Sequence, residues 1–125
     1  MITEALNVIK DELRKIGVNY KFFRWQGTVK YPYFVGEIST DDFADENGYQ
    51  SGTFFLNGFT RGEVFDLLKI SEKIKQHFAD FRCISESGSG ISITFAASTV
   101  IAQDDAELKR IQITLSLKDW SVNNE

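Results

Sequence analysis

The sequence predicts an α+β domain: a mostly antiparallel sheet with two helices packed on one face, in the order α-β-β-β-α-β-β-β. Three observations carry this prediction. From Lys109 to Trp120, Ile111, Ile113, Leu115 and Leu117 take every second position while Arg110, Gln112, Thr114, Ser116 and Lys118 fill the gaps. That is the period-two pattern of a strand with one buried and one wet face. Thr3 to Ile16 and Thr60 to Phe78 repeat apolar residues at helical spacing instead. The other apolar runs are short and bounded by Gly, Pro, Asn or Asp, as strands are.

Taken in order, the first helix sets Leu6, Ile9, Leu13 and Ile16 on one stripe and turns Lys10, Asp11, Glu12, Arg14 and Lys15 away from it. Thr3 is its expected N-cap and Gly17 its stop. Val18 to Trp25 reads as a first strand with aromatics on both faces. Pro32 has no N–H to give to a ladder and drives Tyr31 toward an extended conformation, so the second strand should begin behind it, over Tyr33–Thr40. The polar, acidic stretch Asp41–Gln50 then caps a hairpin whose return strand is Ser51–Phe59. Thr60 and Glu63 have capping-box spacing, and Phe59 and Val64 stand where a hydrophobic staple would. The second helix is expected to bury Val64, Leu67, Leu68, Ile74 and Phe78 and to leave Lys69, Glu72, Lys73, Lys75 and Gln76 in solvent.

Phe81–Ser85 and Gly90–Phe95 read as strands around the turn Glu86-Ser87-Gly88-Ser89. Ala96–Ile101 either extends the second of them or forms an irregular edge. Gln103–Leu108 is a polar turn or short helical turn into the last strand, which is about twice the usual strand length and is expected to be a central or spanning member of the sheet. Ser121–Glu125 is expected to fray.

With 125 residues, there is room for one domain, residues 1–125, around one core. Eleven phenylalanines are the unusual feature of an otherwise ordinary globular composition. Large aromatics fill a small core efficiently, and a surplus can furnish an interface. A net charge of −4, without a run of Lys or Arg, argues against a grip on nucleic acid. Met1-Ile2-Thr3-Glu4 has neither the basic start nor the apolar run of a signal peptide, and no segment approaches the ~20 apolar residues that span a bilayer. The expectation is a protein made and kept in the cytosol unless a larger assembly carries it out, and the lone Cys83 suits a reducing compartment.

The residues do not assemble into a catalytic set. His77, the only histidine, has no partner that the sequence names and is placed at a helix end, where its cationic form is welcome. Cys83 sits among apolar neighbours and is expected to be a buried, inert thiol. No second cysteine or histidine exists to build a Cys-His or Ser-His-Asp arrangement. Gly88-Ser89-Gly90 leads into a strand instead of a helix and lacks the lysine of a phosphate loop. Aligning Gly48 with the glycine of a calcium loop puts Phe43 and Phe54 where carboxylates belong, so a solvated loop or an interface contact is preferred to a calcium site. Thr60-Arg61-Gly62 has a better claim on an anion, because an arginine meets a helix N-terminus there, but the capping box already uses Thr60. Neither enzyme activity, nor a metal, nor a cofactor is expected.

Trp25, Tyr31, Tyr33, Tyr49 and Trp120 are the aromatics expected to be exposed, with packing under a second layer as the equal alternative. Together with Asp42, Asp45 and Glu46 of the acidic loop and Arg110 on the wet face of the last strand, they are the candidate interface residues.

Trp25-Gln26-Gly27, Tyr31-Pro32-Tyr33, Gly58-Phe59-Thr60-Arg61-Gly62 and Asp105-Ala106-Glu107-Leu108-Lys109-Arg110-Ile111, with the Trp120 ending, give the chain a likeness over nearly its full length. It resembles the tail-completion or tail-terminator structural proteins of long-tailed bacteriophages and prophages. The resemblance implies a non-enzymatic virion subunit, made in the bacterial host cytoplasm, that joins copies of itself in a ring, commonly of six. Such a ring sits at the end of the tail tube, stops its growth and meets the head connector, so the implied partners are the chain itself, the tail tube protein and head-connector proteins. The alternative, from another class, is a small regulatory or ligand-binding α+β module acting as a monomer or dimer through a pocket between sheet and helices.

Overall fold

A computed structural model describes residues 2–25, 27–40, 49–85 and 87–120. It shows an α+β fold in the order α1 (Ile2–Lys15), β1 (Tyr20–Phe22), β2 (Tyr33–Thr40), β3 (Tyr49–Thr60), α2 (Val64–His77), β4 (Phe81–Ile84), β5 (Gly90–Ile101) and β6 (Lys109–Trp120). The six strands form one sheet in the order β1-β2-β3-β6-β5-β4. All neighbours are antiparallel except β1 and β2, which run parallel.

β6 occupies the middle of the sheet, pairing with β3 from Tyr49↔Trp120 to Thr60↔Lys109 and with β5 on its other side. Its inward residues Ile111, Ile113, Leu115 and Leu117 are fully buried, and each contributes roughly 1.5–3 kcal/mol of apolar transfer free energy. They share one core cluster with Ala5, Ile9 and Leu13 of α1, Leu67 and Ile74 of α2, and Phe54 and Leu56 of β3.

Two glycines make room for the rings in that core. A Cβ on Gly58 would lie 2.2 Å from the ring of Phe34, its cross-strand partner, and a Cβ on Gly36 would lie 2.4 Å from the ring of Phe54. The phenyl rings therefore lie against bare backbone, and a side chain at either position would force them to shift.

Several elements differ from the sequence reading. Ile2 is already helical, so Thr3 lies inside α1 and does not cap it. The buried line of α1 is Ala5, Ile9 and Leu13 joined by Glu12, while Leu6 and Ile16 are only half-buried. Gly17 does end the helix at φ 84°.

β1 spans three residues instead of eight, because the chain reverses at Phe23, whose φ is 73°. The Phe23 N–H bonds to the Gly36 carbonyl and the Arg24 N–H to that of Phe22. A parallel neighbour can be reached only by a return along the strand. Residues 23–32 supply that return, ending at the cis Tyr31–Pro32 bond.

Thr60 closes β3 instead of capping α2; its Oγ1 accepts the Gly62 N–H at 3.1 Å. Glu63 holds the N-cap position, without a side-chain cap bond. Leu68 faces solvent, and Ser71 takes its place on the buried stripe. β5 continues to Ile101 through a bulge between Phe95 and Ala97. No described helix is long and apolar enough to cross a membrane.

Candidate interaction surface

The register of the central strands sorts their side chains by face. Residues opposite the inward set of β6 form cross-strand rows, of which Tyr33, Phe59 and Arg110 make the first and Val35, Asn57 and Gln112 the second. None of these six belongs to the core cluster.

The first row is a continuous aromatic assembly. Tyr33 stacks on Phe59 with ring centroids 5.2 Å apart and 24° between planes. The return segment adds Trp25 at 5.4 Å and Tyr31 at 5.6 Å from Tyr33. Trp25 is tied down by an Nε1–H bond to the Thr28 carbonyl, and Lys21 Nζ lies 5.7 Å from its ring centroid.

Arg110 lies over the outer end of this stack, its Cζ 5.9 Å from the Phe59 centroid. Its Nε and Nη2 both donate to Asn57 Oδ1, at 3.2 and 2.8 Å, and Gln112 Nε2 donates to the same oxygen at 3.4 Å. Asn57, almost fully buried, thus holds the guanidinium beside the aromatic row. Preorganised Arg and Tyr side chains of this kind lose little conformational freedom on binding a partner.

Arg61, the sequence's candidate anion ligand, is already engaged. Its Nη1 lies 3.0 Å from Asp105 Oδ2, and it also bonds the Tyr31 side chain. The Glu107 N–H and Arg61 together hold the Asp105 carboxyl below its ordinary range. The pair is half-exposed and contributes little to stability. Its effect is to anchor Tyr31 and the 102–108 turn beside the aromatic row.

Of the nine predicted interface residues, Trp25, Tyr31, Tyr33 and Arg110 therefore come together. Tyr49 and Trp120 are cross-strand partners at the other end of β3 and β6, about 33 Å away at strand rise. Asp42, Asp45 and Glu46 lie outside the described residues. The sequence reading missed Phe59 and Asn57, which only the β2–β3–β6 register places in the group.

A second polar cluster joins the two helices. His77 Nε2 lies 2.7 Å from Glu12 Oε1, and Lys15 Nζ 2.8 Å from Glu12 Oε2. Burial works against the Glu12 carboxylate, but the bonds from Lys15 and His77 outweigh it and hold its pKa below the ordinary value of 4.5. Glu12 is thus ionised at neutral pH and accepts both bonds.

The His77 ring also stacks on Phe81 at 5.8 Å. Cys83 lines the same surface recess as Glu12, where burial raises its thiol pKa. Neither Glu12 nor His77 hydrogen-bonds that sulfur. The cluster works as a clamp between α1 and α2. No group of three or more His, Cys, Asp or Glu residues among those described could hold a metal ion.

The clamp predicts an acid limb in stability. A carboxylate with a depressed folded-state pKa stabilises fully above its unfolded pKa, and the contribution disappears as pH falls through the folded value. Unfolding free energy is therefore expected to decline as pH drops below about 4.5. Glu12→Gln should lower stability by about 1–3 kcal/mol at neutral pH and flatten that decline. Urea unfolding of both proteins across pH 3–7 measures the difference.

The chain matches no protein-family model and no curated relative.

Proposed function

We propose that this chain is a non-enzymatic tail structural protein of a phage or prophage, assembling as a ring, commonly of six, at the end of the tail tube. There it terminates or completes the tail and meets the head connector. In this reading both helices cover one face of the sheet, and the opposite face is left for assembly.

The observation that carries the proposal is the row Tyr33–Phe59–Arg110 with Trp25 and Tyr31 beside it. A stacked aromatic group with an arginine fixed over it, standing outside the core cluster, has the composition of an interface centre. The polar residues Asn57, Gln112, Thr114 and Ser116 next to it suit a hydrogen-bonding rim.

Mass in solution tests the reading. Light scattering across a concentration series, with and without tail tube protein, is expected to show a discrete ring. A monomer at every concentration, tube protein included, rules it out.

The second reading, a small ligand-binding module working as monomer or dimer, is favoured by one feature. A cleft of about 630 Å³ between α1 and β1 has the size of a small-molecule site. A monomer or dimer in the same measurement supports that alternative.

A further inference from the structure

The α1–β1 cleft has an uneven chemistry for a protein of net charge −4. Lys10, Arg14 and Lys21 line it together with the apolar side chains of Leu6, Val18 and Phe22. Lys10 and Arg14 form no ion pair among the described residues. β1 is the terminal strand of the sheet, so the cleft runs along a ladder edge with no further strand beside it among the described residues. An occupant would therefore meet three cations, an apolar floor and a strip of backbone able to accept an extended segment.

One stretch of the same sequence is the chemical counterpart of that surface. Between β2 and β3, Phe43 and Ala44 are flanked by Asp41 and Asp42 on one side and by Asp45 and Glu46 on the other. Four carboxylates bracketing a phenylalanine match three cations bordering an apolar floor. A free inorganic anion would leave the floor unused, and a nucleic acid would meet an acidic protein. Lys21 also lies over Trp25, which makes the cleft continuous with the aromatic row.

We infer that the 41–48 segment of one copy docks in the α1–β1 cleft of the next. The inference rests on the ring reading and specifies its contact. The two surfaces differ, so each copy gives a loop to one neighbour and takes a loop from the other. Contacts of this head-to-tail kind close into rings when the rotation between copies allows it.

Paired charge reversal tests the docking. Lys10→Glu with Arg14→Glu makes a cleft that repels its own loop. Asp42→Lys with Asp45→Lys and Glu46→Lys makes a loop of net positive charge that repels its own cleft. Each variant alone is expected to associate at least about tenfold more weakly than wild type, with circular dichroism reporting that both fold.

Mixed in equal amounts, the two should recover the wild-type mass, because every contact in an alternating ring of even number then joins opposite charges. The association should also weaken as salt is raised above about 0.15 M. Wild-type-like assembly by either variant, or two folded monomers that fail to recover on mixing, overturns the inference while the ring reading stands. A wild type that is monomeric under all conditions removes both. A monomeric wild type destabilised by Lys10→Glu with Arg14→Glu shows instead that the segment fills the cleft of its own chain.

Discussion

Gly58→Ala is expected to lower the unfolding free energy by about 3 kcal/mol, the upper end of what overpacking produces. The new methyl group would lie 2.2 Å from Phe34 Cε2, with two further ring atoms at 2.6 Å. Phe34 cannot retreat easily, because it is fully buried within the core cluster. Either the ring leaves its rotamer or β2 and β3 separate, and both disturb the hairpin that carries Tyr33 and Phe59. A fall in Tm of roughly 10 °C or more should follow. Gly90→Ala is the matched control in the same sheet: its Cβ would meet Trp120 at an ordinary 3.9 Å. Thermal and urea unfolding of the two variants should separate clearly. Equal stability would show that the Phe34 ring does not lie over Gly58.

Arg110→Ala is expected to reduce assembly far more than it reduces folding. Removing an arginine from the centre of an interface typically weakens binding by about 2 kcal/mol or more, which is roughly thirtyfold. In the isolated protein the loss is smaller. Asn57 Oδ1 loses two bonds at 3.2 and 2.8 Å but keeps the one from Gln112 at 3.4 Å, so a decrease of about 1 kcal/mol is expected. Sedimentation of the variant against wild type, beside their urea unfolding curves, reads both quantities. Assembly reduced only in step with stability would take Arg110 out of the interface.

The parts of this fold visible in the sequence are those with an unambiguous period. Ile111, Ile113, Leu115 and Leu117 announce a strand with a single buried face, and the length of that alternation anticipates its place at the centre of the sheet. Pro32 marks the start of β2, and Gly17 marks the end of α1. β1 was less legible. The aromatics from Tyr20 to Trp25 suit an extended chain, but the reversal at Phe23 depends on hydrogen bonds to β2 and leaves no local signature.

Glu12 shows a different limit. Its charge made it read as solvated, yet on a helical wheel it falls beside Ala5 on the edge of the buried stripe, where His77, sixty-five positions away, offers it a donor. The candidate surface was half legible for the same reason. Tyr33 and Arg110 stood out by residue type, whereas Phe59 looked like a staple for Val64 until the strand register set it between them.

The pairing of β3 with β6 has a consequence during synthesis. Their paired residues are 49 to 71 positions apart in the chain, from Thr60↔Lys109 to Tyr49↔Trp120, and β6 also supplies the inner neighbour of β5. A nascent polypeptide therefore holds two twelve-residue strands, β3 and β5, without their shared neighbour until its last described strand leaves the ribosome. In that interval the β2–β3 hairpin and the β4–β5 hairpin each expose an apolar margin to other nascent chains. The strand at the centre of the finished sheet is thus the last of the six described strands to be made.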